Sequence, residues 1–168
     1  TISNFTGVTY NYSINPVYNF YQYLQQSAVV NSVLSEDTIH VGSGADSLDF
    51  VIDTDQKSHK SQFLYLADEV AALGLLNDTI NAISLNVLSG SQLANFLIIK
   101  LKLTTDSVLN NTNPHVDGFT KVYNENTLLN NGVNRFQFTN DFVWDSVSNI
   151  IVEFSFTNST VGSSTKIE

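Results

Sequence analysis

Four aspartates fall within ten residues of the sequence, at Asp46, Asp49, Asp53 and Asp55. Carboxylates suit hard cations, because Ca²⁺ takes roughly six to eight oxygen ligands from carboxylates, carbonyls and water. The spacing is not that of an EF-hand loop. If Leu48, Phe50 and Ile52 point inward on a strand, Asp49, Asp53 and Asp55 fall on the opposite side and face water. A calcium site and a solvated strand face are therefore both open interpretations.

Tyrosine is concentrated near the start of the chain, where "TYNYSINPVYNFYQYLQ" predicts two strands separated at Pro16. Aromatic rings can stack on the apolar faces of sugars, while phenol hydroxyls and nearby amides bind sugar hydroxyls. The residues predicted to form such a ligand-binding surface are Tyr10, Tyr12, Tyr21 and Tyr23. The other interpretation is a pair of strands that buries one aromatic face and exposes the other.

The pattern of nucleophiles and titratable residues argues against an enzyme. His40, His59 and His115 lack the spacing of an H-E-x-x-H metal site, and each is predicted to be a surface or turn residue. No G-x-S-x-G elbow marks a serine nucleophile. The carboxylate pairs are adjacent in sequence, and adjacent residues on a strand point to opposite sides. We therefore expect no catalytic residues.

The composition restricts the partners. The net charge is −9, with only seven Lys and Arg, so nucleic acid and anionic lipid would be repelled. The absence of cysteine excludes disulfides and thiolate metal sites, and no apolar stretch reaches the ~18 residues that a membrane span needs. A cysteine-free acidic chain rich in Asn, Ser and Thr is typical of extracellular bacterial domains, and we expect an extracellular or cell-surface location.

Period-two alternation of apolar residues dominates the remainder of the chain. "NFLIIKLKLTT" directs Leu97, Ile99, Leu101 and Leu103 inward, and "NIIVEFSFTN" does the same with Ile150, Val152, Phe154 and Phe156. Asn- and Gly-rich turns separate nine or ten such strands, and one short helix is predicted within residues 66–76. We therefore predict an all-β fold, a two-sheet antiparallel β-sandwich of jelly-roll or Ig-like type, as a single domain over residues 1–168.

An ordered set of short motifs resembles the β-sandwich domains of large secreted and surface proteins of Bacteroidetes bacteria. The pattern is S-Q-x-x-Y-x-x-x-E, then strands, a G-x-N turn, and an aromatic-x-W-(D/N)-x-x-x-N strand. The matching residues are Ser61, Gln62, Tyr65, Glu69, Gly132, Asn134, Phe142, Trp144, Asp145 and Asn149. The match covers roughly residues 60 to 160. The block at about residues 24–58, which contains the four aspartates, departs from the pattern and is interpreted as an insertion.

The resemblance implies a non-catalytic accessory module, exported beside catalytic, adhesive or sorting domains. The tyrosines and aspartates of this chain make a glycan or another cell-surface protein the expected partner and Ca²⁺ the one candidate cofactor. The alternative is a structural or protein-interaction spacer that binds no small molecule. The matched residues are expected to be structural. Trp144 is predicted to bury its ring at the end of the sandwich and Asp145 to cap the following turn, while Gln62 and Glu69 satisfy backbone groups.

Overall fold

The structure, a computed structural model, describes residues 2–3, 8–12, 28–32, 39–41, 48, 51–75 and 79–168. The chain divides into two compact units, Thr1–Thr38 and Ile39–Glu168, which are called here the N-terminal unit and the sandwich unit. The single domain and the insertion at about 24–58 stay predictions.

The N-terminal unit contains a three-stranded antiparallel sheet in the order β1-β2-β3. Its strands are β1 (Ile2–Ser3), β2 (Val8–Tyr12) and β3 (Ala28–Ser32). Both strand pairs of this sheet join strands that follow one another in sequence.

The sandwich unit consists of two packed antiparallel sheets, which confirms the predicted fold class. Its elements are β4 (Ser58–Tyr65), α1 (Ala67–Ala72), β5 (Thr79–Ser89), β6 (Gln92–Thr104), β7 (Thr120–Leu129), β8 (Gly132–Val143), β9 (Asn149–Thr157) and β10 (Lys166–Ile167). One sheet has the order β10-β5-β8 and the other the order β4-β9-β6-β7. In the described part of the chain, no helix is long and apolar enough to cross a membrane.

The core between the two sheets is built by the predicted alternation. Leu97, Ile99 and Leu101 on β6 are fully buried, and Val152 and Phe154 on β9 are buried as well. Facing residues on β8 and the single tryptophan complete this apolar layer. Consecutive strand residues point to opposite faces, so the same strands also present a second, outer face.

The matched motif residues hold the ends of strands in place, as predicted. Trp144 is 1% exposed, and its indole N–H donates to the carbonyl of Ser148 over 2.7 Å. The Asp145 carboxylate accepts from the backbone N–H groups of Val147 and Ser148 and caps that turn. Hydrogen bonds to the carboxylate hold the pKa of Asp145 below its ordinary value, and those from Ser148 contribute most.

The segment that precedes β4 differs from the sequence prediction. A strand would alternate, but Val51 and Ile52 are neighbours and both are buried, and residues 51–57 form bends and turns. The Ser61 hydroxyl donates to the carbonyl of Val51 over 2.6 Å, and the Thr54 hydroxyl bonds to the Thr165 hydroxyl over 2.8 Å. The predicted strand is therefore wrong here, because side-chain hydrogen bonds to β4 and to the C-terminal residues fold the segment into the core.

Candidate functional site

The outer face of the four-stranded sheet can be followed row by row from its register. Three successive rows run Leu64–Ile151–Lys102, Gln62–Glu153–Lys100–Lys121 and Lys60–Ser155–Ile98–Asn124. Beyond the third row, β6 and β7 continue to an irregularity in their pairing and then to the directly opposed pair Leu93 and Leu128. The face is thus polar in its middle rows and apolar at this end.

A β-bulge displays Phe96 on the outer face. The β6–β7 register shifts between Ala94 and Leu97, so that Asn95 and Phe96 on β6 face only Asn126 on β7. Phe96 has φ +51° and is 64% exposed. A bulky side chain rarely adopts a positive φ, which costs an L-residue about 1–2 kcal/mol. Neither packing nor backbone preference accounts for a phenylalanine here.

Two asparagine side chains stabilise the bulge. The Asn158 amide accepts from the N–H of Asn95 over 2.8 Å and donates to the carbonyl of Leu93 over 2.8 Å. The Asn126 Oδ1 accepts from the N–H of Phe96 over 2.8 Å. These bonds satisfy backbone groups that the interrupted strand pairing leaves open. The bulge is therefore held by specific side chains and keeps Phe96 in a fixed position.

Exposed apolar residues continue the surface around Phe96. Leu93 is 47% exposed and its cross-strand neighbour Leu128 is 53% exposed. Phe96 is the one exposed aromatic side chain among the large hydrophobic residues of the described chain. Asn126 and Asn124 lie beside it on β7 and are exposed. We call Leu93, Phe96, Asn126 and Leu128 the bulge surface; it combines an aromatic ring, aliphatic side chains and amides.

The second row of the outer face contains a buried carboxylate. The Glu153 side chain is only 2% exposed, although it points away from the core. Its Oε1 accepts from Lys100 Nζ over 2.9 Å, with Lys60 Nζ at 3.7 Å, and its Oε2 accepts from Gln62 Nε2 over 2.8 Å. Burial by itself raises the pKa of Glu153, but these hydrogen bonds and the lysine charges outweigh it and hold the pKa below its ordinary value.

The β6–β7 loop, residues 105–119, covers this row and is attached at His115. The Gln62 amide donates to the His115 carbonyl over 2.7 Å and accepts from the His115 N–H over 3.2 Å. The imidazole lies between Lys102 Nζ, 3.2 Å from Nδ1, and Asp106 Oδ2, 3.2 Å from Nε2. The prediction that Gln62 satisfies backbone groups is therefore confirmed.

The acidic stretch is partly described. Asp55 is exposed, whereas Asp53 has a buried Oδ1 without a hydrogen-bond partner. Burial and the adjacent Asp55 carboxylate raise the pKa of Asp53. Asp46 and Asp49 lie outside the described residues, and within the described ones no three His, Asp or Glu side chains form a metal-binding group. The calcium prediction stays open.

Two of the four tyrosines predicted to bind a ligand lie in the described part of the chain. Tyr10 and Tyr12 lie on β2, the central strand of the N-terminal sheet, opposite Val30 and Ala28 of β3. Tyr21 and Tyr23 are not among the described residues. The prediction that these four tyrosines bind a ligand stays a prediction.

Sequence reasoning missed Phe96, the burial of Glu153 and the attachment at His115. One signal for the bulge was available, because the inward alternation of β6, followed backwards from Leu97, places the polar Asn95 at a core position. No signal pointed to His115, since its partners lie on other strands and are brought to it by the register. Comparison of the chain with protein-family models, with curated proteins and with solved structures found no match.

Proposed function

We propose that the chain is a non-catalytic binding module of a secreted or surface-attached bacterial protein, and that its sandwich unit binds a glycan through the bulge surface. The observation that supports this most directly is the display of Phe96. A bulge re-aims a side chain, and strained backbone is concentrated at functional sites. An exposed aromatic ring that costs folding free energy is best explained by a ligand that covers it.

The chemistry around the ring favours a sugar. A sugar ring offers an apolar face for stacking and a rim of hydroxyls for hydrogen bonds, and a binding surface for it needs both kinds of partner. Asn126 Oδ1 is held by the Phe96 N–H, which orients the Nδ2 donors of the same amide beside the ring. The net charge of −9 favours a neutral glycan over an acidic one.

The proposal is tested by affinity electrophoresis of the protein through gels that contain single polysaccharides, and by a glycan array. We expect retardation by at least one neutral glycan, and an affinity loss of about tenfold or more in Phe96→Ala, the cost of truncating an aromatic anchor. Val133→Ala is the matched control, since Val133 is 75% exposed on the other sheet. No retardation of the wild type by any glycan, or equal retardation of Phe96→Ala, would refute the proposal.

A second candidate is a protein-interaction module, favoured by the opposed and exposed pair Leu93 and Leu128. The buried core of a protein interface is more apolar than the rest of the surface, so an exposed aliphatic pair suits a protein partner better than it suits a sugar. Leu93→Glu distinguishes the two candidates. It would abolish binding to a protein partner, whereas stacking on Phe96 would keep a substantial share of the glycan affinity.

A further inference from the structure

The turn between β7 and β8 contains the dipeptide Asn131–Gly132. Gly132 is the first residue of β8 and has φ +94°, a left-handed conformation that glycine adopts without the steric cost that other residues incur. A Cβ atom at this position would meet no other atom within 4 Å, so the space beside Gly132 is open. Asn131 lies in a bend and is exposed. An exposed carboxamide is thus followed by a peptide nitrogen that no side chain shields.

The side chain of Asn134 holds the backbone of this turn. Its Nδ2 donates to the carbonyl of Asn130 over 2.6 Å and to the carbonyl of Gly132 over 2.9 Å. Its Oδ1 accepts from the N–H of Asn130 over 2.9 Å. The Asn130 side chain is engaged as well, because its Nδ2 donates to the carbonyl of Leu128 over 3.3 Å. The amide of Asn134 therefore clamps the backbone before and after Asn131.

Asn131 differs from the two other asparagines of the turn, because no described residue forms a hydrogen bond with its side-chain amide. Its side chain is free to rotate towards the nitrogen of the next residue. Gly132 lies opposite Val87 in the last pair of the β5–β8 register, and a segment held by few buried contacts opens locally at a low free-energy cost. What restrains this peptide unit is the end of one ladder and the clamp by Asn134.

An asparagine that is followed by glycine can react with its own backbone. The Gly132 nitrogen attacks Cγ of Asn131, an N–Cγ bond forms, and the Cγ–Nδ2 bond breaks. The hydrogen of the Gly132 N–H leaves with Nδ2 as ammonia, and the product is a cyclic imide. Water then opens the imide at either of its carbonyl carbons and yields aspartate or isoaspartate. In both products a carboxylate has replaced a neutral amide.

We propose that Asn131 is a site of spontaneous modification through this imide, and that the clamp by Asn134 sets the rate. Ring closure requires the peptide unit between Asn131 and Gly132 to rotate, and the hydrogen bonds of Asn134 to the carbonyls of Asn130 and Gly132 oppose that rotation. The reaction adds one negative charge to a turn that is bonded to Leu128 of the bulge surface. It takes place whether or not the bulge surface binds a glycan.

Incubation of the full chain in mildly alkaline buffer, followed by trypsin digestion and tandem mass spectrometry, tests the site. Cleavage after Lys121 and Arg135 yields a peptide of residues 122–135 that contains the whole turn. We expect the mass increase of an amide-to-acid conversion at Asn131 before any other asparagine of this peptide, with isoaspartate among the products. The proposal is overturned if another of these asparagines converts first. It is also overturned if Asn131 stays intact after the urea-unfolded chain has reacted completely.

Two variants test the clamp. Asn134→Ala removes the hydrogen bonds that hold the turn and should speed the conversion of Asn131 about tenfold. Asn124→Ala is the matched control, an exposed asparagine of β7 that lies outside the turn, and should keep the wild-type rate. Equal rates in Asn134→Ala and the wild type would overturn the proposal. Should Asn134→Ala fold poorly, the wild type gives the same decision: Asn131 should convert about tenfold more slowly in buffer than in urea, and equal rates in the two overturn the proposal.

Discussion

At the bulge, glycine should stabilise the protein more than alanine, the reverse of the ordinary order in a strand. Phe96 has φ +51°, and alanine at this position keeps the penalty of about 1–2 kcal/mol that an L-residue incurs there. Glycine removes this penalty and adds about 0.5–1 kcal/mol of backbone entropy cost. Phe96→Gly should therefore be about 0.5–1 kcal/mol more stable than Phe96→Ala. Both variants lose the same side chain, so its partial burial cancels.

Urea unfolding followed by the fluorescence of Trp144 measures this difference, since it is the one tryptophan and it is buried in the sandwich unit. Ile98 is the matched control on the same strand and face, because its φ is not positive. There, Ile98→Gly should be about 0.5–1 kcal/mol less stable than Ile98→Ala. The reasoning is refuted if Phe96→Gly is the less stable of its pair by the same margin as at Ile98.

Three further changes test other parts of the structure. Glu153→Gln should lower the free energy of unfolding by about 2 kcal/mol at neutral pH. Because folding lowers the pKa of Glu153, the stabilisation by its carboxylate is complete above the unfolded pKa of about 4.3 and is lost as the pH falls through the folded pKa. If urea unfolding shows the same loss of stability in Glu153→Gln at pH 7 and at about pH 3, this prediction is wrong. Asp53→Asn should raise the melting temperature at neutral pH, because the raised pKa means that the ionised form opposes folding; the gain should vanish in acid. If calcium is bound at the aspartates, CaCl₂ should raise the melting temperature of the wild type and not that of Asp53→Asn, and indifference to both CaCl₂ and chelator excludes the metal. Trp144→Ala should cost about 3–5 kcal/mol, whereas Val147→Ala, at a residue 80% exposed, should stay within about 0.5 kcal/mol; similar costs for the two would refute the assigned core role.

The predictions from sequence succeeded where a pattern is local. The alternation of β6 and β9 identified the buried residues, because a strand has only two faces and one of them must be apolar. The cap at Asp145 was predicted correctly because aspartate often accepts hydrogen bonds from backbone N–H groups two and three residues further along the chain. Both inferences require no knowledge of the strand order.

The predictions failed where distant residues decide the outcome. The alternation of β9 predicts that Glu153 faces solvent. Glu153 is buried instead, because Lys100 and Gln62 lie beside it on two other strands and a loop crosses above it. The sequence pattern places Val51 and Ile52 on an alternating strand. Both are buried in the structure, where the Ser61 hydroxyl donates to the carbonyl of Val51. In neither case is the deciding partner a sequence neighbour: Gln62 and Lys100 lie 91 and 53 residues from Glu153, and Ser61 lies ten residues from Val51.

The position of Asn158 has a consequence for biosynthesis. Its amide holds the bulge of a strand that begins some sixty residues earlier, by bridging the carbonyl of Leu93 and the N–H of Asn95. A ribosome makes the chain from the N-terminus, so β6 and β7 emerge before the residue that fixes their irregular pairing. Until Asn158 emerges, the bond from the Phe96 N–H to Asn126 is the one of these contacts that the hairpin can make, and we expect the bulge to be fixed fully when Asn158 adds its two bonds.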